Sequence, residues 1–386
     1  MGKQIRYFFS LIFICIVFIY SFSKSSLNLS EVEYNKIKLN VNETYISSIG
    51  YNQKKNNILG IQAFMLPADY STEDRFYNKL EEYLVIAQKN GFLSPQTIVV
   101  FPEHIGTPLL LLDEKKEVYL SSDFENVKSN LIYHRYYKYF YHLFFSNFKG
   151  NKEIKTLFKI KSKQMRDSYI SVFSKLSRFY NVTILAGSIV LAGGEIKNQT
   201  IEITSGELKH IAPIFSNGNL VDVHLEKKAL LNFEEGYLTP IEPQIESFSF
   251  LDIPFKFIVF FSKDSLYNQN YTSKFSLSEI ILSPSIFPEK EKILWQDPAI
   301  SDSIRGDRSL FTEEDKNLSK EELWNKFSIA GKFPYIYALA YMQVFLRGEF
   351  FGVKLLGNSS MGYRYIKIET VPPEAKSAIL NIYLSK

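Results

Sequence analysis

Residues 97–103 read TIVVFPE. The first five are uncharged and mostly β-branched or aromatic, the composition of a short strand buried on both faces. Pro102 cannot donate to a strand ladder, so the strand stops there and delivers Glu103 at its carboxyl end. In an open α/β sheet that edge is where ligands bind. A lone carboxylate after a strand is more often a solvated turn residue, so the surrounding segments have to decide its role.

Working outward, residues 57–64 (NILGIQAF) predict a strand and residues 71–90 a helix after it. Residues 165–180 have helical periodicity, and residues 182–191 (VTILAGSIVL) form the next apolar run. Asn217-Gly218 lies between residues 211–215 and 220–225, a hairpin turn because both residues tolerate positive φ. Residues 255–261 (FKFIVFF) and 279–282 read as buried strands, with a short helix near 273–278. Residues 318–347 predict a long helical segment broken at Gly331 and Pro334. Strands alternating with helices, with some hairpins, favour an α/β fold in which helices cover mixed sheets.

The chain has 386 residues, above the roughly 250–300 that one core usually serves, so one large domain with additions is expected. Hydrophobic residues make up 46% and charged residues 22%, the balance of an ordinary globular protein. The net charge of +4 is spread thinly, which argues against a nucleic-acid groove. No metal-ligand spacing or phosphate loop is visible in the sequence, so no cofactor or metal is implied; the Gly- and Ser-rich residues 357–362 lack the Lys-Ser/Thr ending of such a loop.

Lys3 and Arg6 precede an uncharged stretch, residues 7–22, closed by Lys24. This predicts an apolar N-terminal helix over residues 1–24, either a membrane anchor with its basic end in the cytoplasm or a signal peptide cleaved near Ser21-Phe22-Ser23. The remainder would then lie outside the cytoplasm, at the cell membrane or secreted. Cys15, the one cysteine, sits inside that apolar run after Ile14, which suits neither a lipoprotein signal nor a disulfide. Residues 25–56 read as a linker and 57–386 as the folded domain. An aromatic-rich addition near 120–160 includes residues 133–148 (YHRYYKYFYHLFFSNF), read either as a packed lid or as a surface for the membrane interface.

Taken in order, these segments resemble the nitrilase (carbon–nitrogen hydrolase) superfamily over roughly residues 57–365. The matching elements are the apolar strand ending in Phe101-Pro102-Glu103, the strand with Ala186-Gly187-Ser188, and the Asn217-Gly218 hairpin leading to Lys227, with Leu230 and Glu235 after it. The spacing around Lys227, including Tyr237 and Pro240, is closest to the extracytoplasmic catalytic domain of apolipoprotein N-acyltransferases, without the many membrane spans of those enzymes. The resemblance implies an α-β-β-α sandwich and self-association into homo-oligomers. It implies that Glu103 is a general base, that Lys227 stabilises an oxyanion, and that Glu235 is a second carboxylate holding the lysine or the attacking group. Lys228 takes the lysine's role if the register slips by one. The superfamily's nucleophile is a cysteine at the end of an apolar strand; here residues 255–261 lead into Ser262-Lys263-Asp264, which puts Ser262 at that position.

An alcohol ionises roughly five pKa units above a thiol, a deficit of about 7 kcal/mol at about 1.36 kcal/mol per unit. Serine hydrolases offset this with an oriented histidine. Of five histidines only His104 adjoins a candidate site residue, and on an extended segment its side chain would face away from that of Glu103. Two functions follow: an enzyme acting on small amides or acyl groups through Glu103, Lys227 and Ser262, or a catalytically inactive domain of the same fold that binds ligands or proteins.

Overall fold

The computed structural model describes residues 28–38, 43–51, 56–135, 139–141, 143, 151–204, 206–225, 227–239, 247–250, 253–271, 279–291, 312–364 and 367–385. The apolar N-terminal segment, the expected helix at 273–278 and most of the aromatic run at 133–148 lie outside these residues. Among the described residues no helix is long and apolar enough to cross a membrane.

Two mixed sheets are stacked between layers of helix. The first has seven strands in the order Tyr45–Ile49, Ala378–Tyr383, Asn57–Gln62, Thr97–Val100, Thr183–Leu185, Ile214–Ser216 and Asn219–Val221. Thr97–Val100 runs parallel to both neighbours, with Gly60 opposite Val100 on one side and Val100 opposite Leu185 on the other. It is buried along its whole length, as its uncharged β-branched sequence requires. In the second sheet Lys256–Val259, Glu279–Pro288 and Ala340–Phe350 are parallel neighbours, and Val259 is opposite Leu282. The expected hairpin is present: Ile214–Ser216 and Asn219–Val221 pair antiparallel around Asn217 and Gly218, both at positive φ.

The facing sheets share one apolar core. Ile58, Ile98, Val100 and Leu185 of the first meet Phe257, Leu282, Met342 and Val344 of the second. Gly60 lets them approach, since a β-carbon there would lie 2.3 Å from Met342 Sδ. On the outer face of the first sheet, helices Glu73–Lys89 and Lys152–Tyr180 pack Phe76, Leu80, Tyr169 and Phe173 against Leu59, Val99, Phe101 and Ile184. Against the second sheet, helix Ile329–Lys332 and the turn after it place Ile329 and Phe333 on Ile258, Ile281 and Tyr341. The layering is therefore helix, sheet, sheet, helix.

Three expectations change. Residues 318–347 are not one broken helix: only Lys320–Phe327 and Ile329–Lys332 are helical, and Ala340–Phe350 is a strand buried over its first seven residues. A strand buried on both faces has no alternation to reveal it, and its low β-branched content resembles a helix. Residues 25–56 are more than a linker, for they contribute helix Glu31–Ile37, with a Ser30–Glu33 capping box, and the edge strand Tyr45–Ile49. The run at 182–191 is two strands, Thr183–Leu185 and Ile189–Ala192, interrupted at Gly187.

Gly187 has φ +67°, and a β-carbon there would sit 2.0 Å from the Pro102 carbonyl oxygen. Gly187→Ala should therefore unfold at clearly lower denaturant, by roughly 2 kcal/mol or more, because it adds backbone strain and pushes the Glu103 turn away. Equilibrium unfolding of the two proteins checks this.

Candidate active site

After Thr97–Val100 the chain turns sharply. Phe101 N–H donates to the Leu185 carbonyl at 3.0 Å, and His104 N–H donates to Ser188 Oγ at 2.8 Å. Gly106 N–H reaches the Ser188 carbonyl at 3.0 Å. These bonds tie the turn to the next strand and hold Glu103 fully buried. A carboxylate in such a place needs partners, or it would be protonated.

Its partners come from three other segments. Lys227 Nζ lies 2.8 Å from Glu103 Oε1 and 2.6 Å from Glu234 Oε2. Glu234 closes a turn by accepting from Leu231 N–H at 2.6 Å. Its other oxygen is 2.6 Å from His104 Nε2, while His104 Nδ1 is 2.9 Å from Thr107 Oγ1. His210, on strand Leu208–Ile211, places Nε2 3.1 Å from Glu103 Oε1, off the axis of a hydrogen bond. Its ring packs against Phe261 at 4.8 Å between centroids.

The charges settle one another. Burial pushes Glu103 towards the neutral form, but Lys227 and His210 outweigh it and hold the carboxyl well below the ordinary range. For Glu234, burial is likewise outweighed by Lys227 and His104. Burial opposes the Lys227 charge, and the two carboxylates more than reverse that, so the ammonium is held above its usual range. His210 is pushed down by burial.

Ser262 opens the turn Ser262–Leu266 directly behind strand Lys256–Val259 and its two following phenylalanines. It is fully buried and has φ +36°, a left-handed conformation that a side-chain-bearing residue adopts only when its surroundings impose it. Its hydroxyl donates to Glu103 Oε2 and accepts from Ile286 N–H at 2.9 Å. Asp264 locks the turn: its carboxyl accepts from Ala229 N–H at 2.7 Å, from Lys228 N–H at 3.2 Å and from Phe261 N–H at 3.3 Å. The serine turn and the lysine loop are thereby joined. Burial raises Asp264 to about 7 in spite of Lys227 and those donors.

Glu103, Lys227 and Ser262 thus converge. Glu235 does not: it is exposed, and the carboxylate beside the lysine is that of Glu234, one residue earlier. The turn at 231–237 sends Glu234 inward, a choice that spacing alone could not make. Lys228 supplies only its backbone N–H to this region, so the register with Lys227 holds. His104 is not on an extended segment; at φ +60° its ring turns into the cluster and meets Glu234. Lys263 is neutralised beside the site, 3.0 Å from Glu291 Oε1 and donating to Asn232 Oδ1 at 3.0 Å. His210 and Asp264 complete the surroundings. The sequence signal for Asp264 was its place two residues after Ser262; His210, 107 residues beyond Glu103, had none.

A cavity of about 440 Å³ adjoins the cluster, within the size range of small-molecule sites. Its walls are largely apolar, with Leu131, Leu157, Phe158, Phe233, Tyr237 and Leu346 among them. His104 and Ile286 line it, and Ile286 is the residue whose backbone holds Ser262; Glu103, Lys227 and Ser262 lie behind these residues and do not line the cavity themselves.

No family model matches the sequence, and no curated protein matches it either. Among solved structures the chain is similar to the amidase of Nesterenkonia sp. AN1, a member of the nitrilase superfamily. Its double mutant in complex with acrylamide shares 10% identity over 87% of this chain and 93% of that one, with a TM-score of 0.48. A single mutant with butyramide shares 10% over 85% and 90%, with a TM-score of 0.46. At this distance the roles of individual residues here are left to their own geometry.

Two outcomes follow from the electrostatics. Glu234→Gln should cost roughly 2–4 kcal/mol in equilibrium unfolding, since it removes a buried partner of Lys227, whereas Glu235→Gln should stay within about 0.5 kcal/mol of the parent. Asp264 binds its proton more tightly folded than unfolded, so its contribution is complete below about pH 4 and is lost as pH rises towards about 7. The stability difference between the parent and Asp264→Asn should therefore fall over that interval by up to about 1.4 kcal/mol per pH unit and then level off. A flat difference from pH 4 to 8 would show that Asp264 has an ordinary pKa.

Proposed function

We propose that this chain is a carbon–nitrogen hydrolase-type protein that takes an amide or acyl group at Glu103, Lys227 and Ser262, with the substrate's apolar part in the adjoining cavity. One observation carries the reading. The Ser262 hydroxyl donates to one oxygen of Glu103 while Lys227 holds the other, and two residues bonded to this cluster, His104 and Ile286, line the neighbouring apolar cavity.

The chemistry follows from those contacts. Ser262 Oγ attacks the substrate carbonyl as its proton passes to Glu103 Oε2, forming a C–O bond and a tetrahedral oxyanion. Lys227 supplies positive charge to that oxyanion in a site closed to water. Collapse breaks the bond to the amine or alcohol, which leaves with the proton from Glu103, and the acyl group stays on Ser262. Water or an amine, deprotonated by Glu103, then attacks the acyl carbon, and the C–O bond to Ser262 breaks as Glu103 returns the proton to Ser262 Oγ.

Serine makes the first step slow. Lys227 and His210 hold Glu103 below the ordinary carboxyl range, which weakens it as a base. An alcohol proton must therefore climb a gap of at least nine pKa units, roughly 12 kcal/mol, whereas a thiol's gap is smaller by about 7 kcal/mol. The site is built to bind and orient a carbonyl group, and its turnover is limited by the nucleophile. The purely binding function is the limiting case of the same argument.

The basic-flanked apolar segment at residues 3–24 supports placing this domain outside the cytoplasm, anchored at the membrane or released by cleavage.

Intact-mass analysis after incubation with activated acyl esters tests the proposal. Ser262→Cys should acquire one acyl group at least 100-fold faster than the parent, medium-length chains should outpace acetyl, and Ser262→Ala should acquire none. Absence of any adduct on Ser262→Cys, with the protein folded, would rule out acyl transfer and leave binding alone.

A further inference from the structure

The cluster holds more than acyl transfer needs. Two imidazoles stand edge to face over Glu103, with the His104 and His210 ring centroids 5.7 Å apart. Neither ring nitrogen of His210 has a hydrogen-bond partner, although its side chain is only 5% exposed, and Nε2 faces Glu103 Oε1, which the Lys227 ammonium approaches at 2.8 Å. Burying an imidazole without a hydrogen bond is costly unless something binds to it. Two carboxylates, Glu103 and Glu234, face the single Lys227 ammonium in this cluster.

We propose that His210, Glu103 and His104 form a binding site for one divalent transition-metal ion of the zinc class. The donor set, two imidazoles and a carboxylate, is one that zinc favours. One ligand atom from each of the three residues lies within 4.8 Å of the others. Zinc bonds of about 2.0–2.2 Å in tetrahedral array put donors roughly 3.3 Å apart, and His210 Nε2 and Glu103 Oε1 already stand at 3.1 Å. To take the ion, His104 gives up its 2.6 Å contact with Glu234 Oε1 and Lys227 its 2.8 Å contact with Glu103 Oε1, while Lys227 retains Glu234 Oε2 at 2.6 Å. Of the three ligands, His104 also lines the neighbouring cavity. Glu103 cannot serve a metal and accept the Ser262 proton at once, so metal binding and acyl transfer exclude each other here.

The test needs no acyl donor and is independent of the preceding proposal. The metal-stripped 386-residue chain is dialysed against zinc sulfate near pH 7.5, and bound metal is measured; cobalt(II) is added separately and its visible bands recorded. The expected result is one equivalent of zinc, tetrahedral cobalt bands, and at least a tenfold loss of affinity in both His210→Phe and His104→Gln, with His134→Phe unchanged. Thermal melts of the metal-free variants establish that they are folded, and His104→Gln carries the test should His210→Phe fail to fold. Failure of the parent to bind an equivalent, or binding unaltered in both folded variants, would overturn the proposal.

Discussion

The fold around this site depends on one buried ammonium. Lys227 stands between Glu103 and Glu234, all three out of contact with water, and neither carboxylate could stay charged there without it. Taking three charges out of water is expensive, and their attraction in a weakly polarisable interior repays it only with good geometry. The rest of the region supplies that geometry. The Ser188 hydroxyl and carbonyl fix the Glu103 turn, Leu231 N–H fixes Glu234, and Asp264 fixes the backbone just after Lys227. Each of these groups comes from a different part of the chain, so the ion cluster can assemble only when both sheets are in place.

Under the proposed function, the same arrangement would make the site poised yet slow. A lysine that stabilises an ionised glutamate also lowers that glutamate's appetite for a proton. With a thiol this is tolerable, because a thiolate is readily formed beside an ammonium. With the alcohol of Ser262 the electrostatics that assemble the site work against its first step. The apolar cavity beside it is a separate asset: it gives a substrate binding energy remote from the reacting bond, which can be spent on positioning.

Much of this was legible in the sequence because it rests on short apolar strands followed by polar residues. Residues 97–101 and 255–261 announce buried strands, and their ends deliver Glu103 and Ser262. Lys227, with Lys228 as the alternative register, is reached only through the family resemblance in the segment after the Asn217-Gly218 hairpin. What stayed hidden depends on irregular backbone or on distance. Glu234 and Glu235 are chemically identical, and a single turn decides which one enters the core. His104 looked turned away until a left-handed residue conformation reversed it. His210 meets Glu103 only through the pairing of Leu208–Ile211 with Ile189–Ala192, a contact that no local pattern encodes. Residues 340–347 read as helix in the sequence because the strand Ala340–Phe350 is buried on both faces there and has little β-branched character.

The central claim, that Glu103, Lys227 and Ser262 form one carbonyl-binding site next to the apolar cavity, is tested most directly by a crystal structure of the Ser262→Cys protein after treatment with a medium-chain acyl ester. The account predicts a thioester at position 262, its carbonyl oxygen within hydrogen-bond distance of Lys227 Nζ and its hydrocarbon chain between Leu157, Phe158 and Leu346. An acyl group with its oxygen turned away from Lys227, or a chain lying outside the cavity, would contradict it.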